Sequence, residues 1–143
     1  LEDIMPLVRI DLNKGRTPAA VRAIADGIHS ALVGVYGIPE RDRFQIITQH
    51  EEGEIIAQDA GLGFERDSGV VMVHIFTQQG RSDEEKEALF ARIAGNLGEA
   101  GVPPEDVFIG YFENTHHDWS FGFGRSQYVN GELAVPKPAQ QES

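Results

Sequence analysis

The chain has 143 residues, a formal net charge of -11 at pH 7, 41% hydrophobic and 24% charged residues, and no cysteine. That is the make-up of one globular domain with a real core. The negative charge argues against nucleic acid or an anionic membrane as partner, the lack of cysteine rules out a disulfide framework and thiolate-held metals, and no apolar run approaches the ~18 residues of a membrane span. Residues 1–5 (Leu-Glu-Asp-Ile-Met) lack the apolar core of a signal peptide. They read as an extension, a tag or a mis-assigned start, and a cytoplasmic protein is the expectation.

Leu7–Leu12 alternates apolar and polar residues and predicts the first strand. After a turn at residues 13–16, Thr17 reads as an N-cap and Pro18 as the first helical position. Val21, Ile24, Ala25, Ile28, Leu32 and Val35 recur at helical spacing, so 18–35 is an amphipathic helix closed by Gly37-Ile38-Pro39. Arg43–His50 is the second strand. Residues 51–68, with Gly53, Gly61 and Gly63, suggest a turn of helix or a short edge strand around Ile55-Ile56-Ala57. Val70–Thr77 is β-branched and predicts a buried strand. Ser82 and Glu85 form a capping box for a helix over 83–99 with an apolar stripe of Leu89, Phe90, Ile93, Ala94 and Leu97. Gly101-Val102-Pro103 ends it, and Val107–Glu113 is the fourth strand. A Gly- and aromatic-rich loop, 114–124, follows. Asn130-Gly131 predicts a hairpin over 127–134, and 136–143 reads as a mobile tail.

The second half repeats the first. Gly15-Arg16-Thr17 corresponds to Gly80-Arg81-Ser82, Gly37-Ile38-Pro39 to Gly101-Val102-Pro103, and Asp42-Arg43-Phe44 to Asp106-Val107-Phe108, at offsets of 64 or 65. A near-constant offset across helix start, helix end and strand start is the signature of a duplicated β-α-β unit. The expected fold is α/β: one domain, 6–135, of two units (about 6–50 and 70–114). They form a four-stranded, mainly parallel sheet with both helices on one face, and a C-terminal hairpin follows. The bare face then needs a cover, most simply other subunits.

Met5-Pro6 at the head of the first strand carries a chemical possibility. Trimming of an initiator Met before a small residue would leave Pro6 with a free secondary amine, and an α-amino group titrates near ~8. Such an amine is a usable acid or base and can form an iminium with a carbonyl. Inside a chain the same nitrogen is a tertiary amide with no basicity, and Pro6 is then only a proline at the first position of a strand.

Pro6-Leu7-Val8-Arg9-Ile10-Asp11-Leu12, Ile38-Pro39-Glu40-Arg41-Asp42-Arg43-Phe44-Gln45, Asp59-Ala60-Gly61-Leu62-Gly63-Phe64 and Asp118-Trp119-Ser120-Phe121-Gly122-Phe123-Gly124 together resemble the tautomerase superfamily, and within it the malonate semialdehyde decarboxylase family. The resemblance runs from Pro6 to about Val135. It implies a homotrimer, no cofactor, and cofactor-free decarboxylation of malonate semialdehyde to acetaldehyde and CO2. Carried over by position, it implies Pro6 as acid or iminium-forming amine, Arg81 as the carboxylate-binding cation and Asp42 as an assisting group near Pro6. It also implies Trp119, Phe121 and Tyr128 as pocket walls. Some members carry two arginines after the third strand. Here Gln78 and Gly80 stand with Arg81 alone, which leaves Gln78 as a neutral donor to the carboxylate.

Other readings rest on the same residues. A hydratase or dehalogenase of 3-haloacrylates would need a water-activating Glu, and Glu113 is the nearest candidate. Keto–enol tautomerisation needs only Pro6 and a nearby cation. A chain in which Pro6 stays blocked would be a non-enzymatic binder of small carboxylates. His29 reads as structural, on the polar side or edge of the first helix. His116-His117-Asp118 is not read as a metal site, because adjacent loop residues do not converge on one ion.

Overall fold

The computed structural model describes residues 6–133. The extension 1–5 and the tail 136–143 lie outside the described residues. The elements are β1 (Leu7–Asn13), α1 (Pro18–Tyr36), β2 (Phe44–His50), β3 (Val71–Gln78), α2 (Asp83–Glu99), β4 (Val107–Asn114) and a short α3 (Gln127–Asn130), with 3-10 turns at Pro104–Asp106 and His116–Asp118. Both long helices start as their sequences dictate. The Thr17 side chain accepts from the Ala20 N–H ahead of Pro18, and Ser82 and Glu85 exchange hydrogen bonds in a complete capping box.

The sheet has the order β2-β1-β3-β4. Each β-α-β unit forms a parallel pair, β1 with β2 and β3 with β4, and the two units meet antiparallel at β1 and β3, with Leu7 opposite Phe76 and Leu12 opposite Val71. Two of the three pairings are therefore parallel, and both long helices pack on one face. Alternation sends Val8, Ile10 and Leu12 of β1 and Val71, Val73 and Ile75 of β3 toward them, against Ile24, Ile28, Leu32, Leu89, Ile93 and Leu97. Close approach of the helices uses Gly27, where an added Cβ would lie 3.3 Å from the Asn96 Cβ, and Asn96 Nδ2 donates to the Gly27 carbonyl at 2.9 Å. Ile10 is fully buried, whereas Ile56 is 84% exposed. In a urea titration, Ile10→Ala should lose about 2–5 kcal/mol of unfolding free energy through transfer and cavity terms. Ile56→Ala should stay within about 0.5 kcal/mol of the parent.

The opposite face carries Arg9, Asp11, Met72, His74 and Phe76, with Phe44 and Ile46 on one side and Phe108 and Phe112 on the other. Those last four are each more than 40% exposed in the single chain. Phe76 stacks on Phe112 at 4.9 Å. A sheet face with this many exposed aromatic and aliphatic side chains beside its charged centre is the mark of an interaction surface.

Three expectations are corrected. The C-terminal hairpin is absent over the described part of its span: Gln127–Asn130 is one helical turn, and Gly131, with φ +93°, closes it in the left-handed region. Asn-Gly suits both a hairpin turn and a helix C-cap, and here the Asn130 side chain accepts from the Glu132 N–H instead of turning into a ladder. Residues 51–68 contain neither helix nor strand; the Asp59 carboxylate instead gathers the Gly61 and Gly63 N–H groups at 3.1 and 2.6 Å, which holds its pKa below the ordinary value. His29 is buried rather than at a polar edge, and its Nε2 donates to the Glu40 carbonyl at 2.8 Å.

Candidate active site

Strand register gathers the candidate residues at one end of the sheet. Pro6 is buried and immediately precedes Leu7, which pairs with Phe44 on one side and Phe76 on the other. That end also holds the residues just before β2, Asp42 and Arg43, and those finishing β3, Thr77 and Gln78. Gln78 in turn lies opposite Asn114, the last residue of β4. Asp42 is buried at 6% exposure, its N–H on the Pro39 carbonyl at 3.0 Å.

Arg81 stands three residues beyond Gln78, just ahead of α2, and is buried. Its guanidinium lies over the Tyr36 ring at 4.3 Å, and Nη2 donates to the Tyr36 carbonyl at 3.3 Å. That carbonyl belongs to the last turn of α1, where the helix dipole favours a cation. Nη1 reaches Glu85 at 3.4 Å. Tyr36 is fixed in turn by a 3.0 Å hydrogen bond to the Tyr111 hydroxyl. Burial pushes both phenols above the ordinary tyrosine value, so they stay neutral beside the cation.

Buried polar side-chain atoms without a partner cluster here. Among the described residues, Thr77 Oγ1, Gln78 Nε2 and Arg81 Nε all lack a hydrogen bond within one five-residue stretch. Buried donors are nearly always satisfied in folded proteins, so Gln78 Nε2 and Arg81 Nε are free to receive an acceptor.

An apolar cavity of about 390 Å³ opens at the same end, lined by Leu7, Phe44, Trp119, Ser120, Phe121 and Leu133. Trp119 and Phe121 lie parallel, 2° apart in plane with centroids at 6.1 Å. Phe121 also contacts Phe44 at 6.5 Å and Tyr128 edge-on at 5.2 Å. The indole N–H of Trp119 donates to Asn114 Oδ1 at 2.7 Å, which ties the wall to the end of β4. Trp119 and Phe121 line the cavity. Tyr128 is buried behind Phe121 rather than on the lining. Pro6, Asp42, Gln78 and Arg81 share the sheet end without being among the lining residues. Leu7, Phe44 and Leu133 were not read as site residues from the sequence. The alternation of β1 and β2 could have flagged the first two, since their register sets Leu7 beside Phe44. Among the described residues no group of three or more His, Cys, Asp or Glu could hold a metal ion.

Comparison with known proteins agrees with this architecture. A family model described as tautomerase enzyme matches residues 42–122, and a second of the same description matches residues 6–65. The chain is 35% identical over 130 residues to the probable tautomerase YrdN of Bacillus subtilis (strain 168), covering 90% of this chain and all of that protein. It is 37% identical over 126 residues to the probable tautomerase YusQ of the same organism, covering 87% and 99%. Among solved structures, FG41 malonate semialdehyde decarboxylase inhibited by 3-bromopropiolate superposes with a TM-score of 0.87 at 57% identity, covering 91% of this chain and 99% of that one. Another malonate semialdehyde decarboxylase, described with decarboxylase and hydratase activities, gives 0.82 at 38% identity, covering 89% and 98%. A fused 4-OT symmetric trimer shares the fold, with a TM-score of 0.72 at 22% identity, covering 87% and 98%.

Proposed function

From the premise that this chain belongs to the tautomerase superfamily, in its malonate semialdehyde decarboxylase branch, we propose that it decarboxylates malonate semialdehyde or a close 3-oxo acid, giving acetaldehyde and CO2. The observation that carries the reading is the pair of buried, unpartnered donors, Gln78 Nε2 and Arg81 Nε, at the sheet end that holds Pro6 and beside an aromatic cavity. A carboxylate supplies the acceptor both need.

Decarboxylation of a 3-oxo acid requires the electrons of the breaking C–C bond to flow into the carbonyl. Pro6 with a free amine provides the sink in one of two ways. As an ammonium it hydrogen-bonds or protonates the carbonyl oxygen; as an amine it condenses with the carbonyl to an iminium and releases water. Loss of CO2 leaves an enol or enamine, which takes a proton at carbon; the enol then gives acetaldehyde, and the enamine does so after hydrolysis. Asp42, buried at the same sheet end, is the residue to assist Pro6. Arg81, seated on Tyr36, grips the carboxylate with a fixed fork of N–H donors. Its contribution to rate is to turn the carboxylate out of the carbonyl plane, so that the breaking bond overlaps the π system. Trp119 and Phe121 favour neutral CO2 over the charged carboxylate.

Glu113, the residue that a haloacrylate hydratase would need to activate water, sits on β4 and is ion-paired with Lys86 at 2.8 Å, which weighs against that reading. The test is acetaldehyde release from malonate semialdehyde, run beside halide release from 3-chloroacrylate. Turnover of the first supports the proposal. Turnover of the second alone assigns the site to hydration. The bare sheet face fits a homotrimer, and sedimentation equilibrium should return three times the chain mass; a monomer mass rejects it.

A further inference from the structure

Resting on the proposed site, the geometry points to Gln127 as a positioning residue that holds both sides of the aromatic cavity. Its side-chain amide brackets the Phe121-Gly122 pair: Oε1 accepts from the Phe121 N–H at 2.9 Å, and Nε2 donates to the Gly122 carbonyl at 2.9 Å. Its own carbonyl accepts from the Leu133 N–H at 3.0 Å. Phe121 and Leu133 both line the cavity, and they belong to segments that flank α3 in sequence. One buried residue, 7% exposed, is therefore hydrogen-bonded to both.

The loop needs that support. Gly122, Phe123 and Gly124 have φ of +139°, +62° and +67°. A non-glycine residue held in the left-handed region costs about 1 kcal/mol or more. The long 3.3 Å hydrogen bond from Arg125 N–H to the Gly122 carbonyl is the backbone tie within this turn. Gln127 acts like a one-residue strand partner for Phe121 and Gly122, taking the N–H of the first and the carbonyl of the second. Phe121 is the hub of the wall, touching Phe44, Trp119 and Tyr128, so the orientation of its backbone sets the whole wall.

The chain has a single tryptophan, Trp119, which gives a readout independent of catalysis. Acrylamide quenching and the emission maximum of Trp119 are to be measured in the full chain and in Gln127→Ala and Gln127→Met. Met retains bulk but neither hydrogen bond. Both variants should show a red-shifted emission and stronger quenching, and in chains that start at Pro6 kcat/KM should fall about 10- to 100-fold through misplacement of the wall. Far-UV circular dichroism serves as the fold control. Gln127→Met with parent-like quenching overturns the inference, because volume alone would then explain the site. A parent chain that starts at Pro6 and shows no turnover overturns the proposed function, and the quenching data still decide the role of Gln127.

Discussion

Replacing Arg81 by alanine is expected to lower kcat/KM for malonate semialdehyde on the order of 10³-fold, the scale of losing a buried donor matched to the reacting charge. Arg81 is buried, seated over the Tyr36 ring and tied to the Tyr36 carbonyl and Glu85, which leaves Nε as the donor without a partner. The substitution removes that donor and the neighbouring edge of the guanidinium together. Fold stability should fall by only about 1–3 kcal/mol, the cost of a lost partner for a buried carbonyl. Glu85 is partly exposed, at 31% for its side chain, and can return to water. Lysine should not rescue the rate, because a point charge lacks both the planar fork and the Nε donor. Steady-state kinetics with a thermal melt check both halves; unchanged kcat/KM would remove Arg81 from the site.

Much of the framework could be read directly from the chain. Thr17-Pro18 and the Ser82–Glu85 box are local signals, and both helices begin where those residues put them. The repeat offset gave four strands and two helices. What local patterns could not supply was the relation between the two units: the antiparallel join of β1 and β3 depends on which edges meet, not on either unit alone. The hairpin expected at Asn130-Gly131 failed for a similar reason. The dipeptide favours a reversal, but what surrounds it decides between ladder and helix cap, and here Gln127 commits its side chain and carbonyl to residues 121, 122 and 133.

The site divides along the same line. Pro6 and Gln78 share a sheet end because register brings the start of β1 beside the end of β3, and Asp42 reaches that end because β2 starts beside Leu7. The seat of Arg81 was not legible, since Tyr36 lies 45 residues away in sequence and meets it only through α1 packing. The same holds for Leu133, which reaches the cavity through a turn that sequence pattern read as a strand.

The largest effect expected concerns the nitrogen of Pro6. With residues ahead of it, that nitrogen is an amide whose lone pair is delocalised, and it can neither carry a proton nor attack a carbonyl. Freed, it becomes a secondary amine that titrates near ~8 in the absence of perturbation. Acid–base or iminium chemistry of this kind contributes about 10²–10⁴-fold in rate. The decisive comparison is acetaldehyde release from malonate semialdehyde by a chain that starts at Pro6 and by one that carries residues 1–5. The account predicts turnover by the Pro6-start form and a loss of that size in the extended one. Equal turnover by both would show that Pro6 is not the catalytic group and would contradict the mechanism.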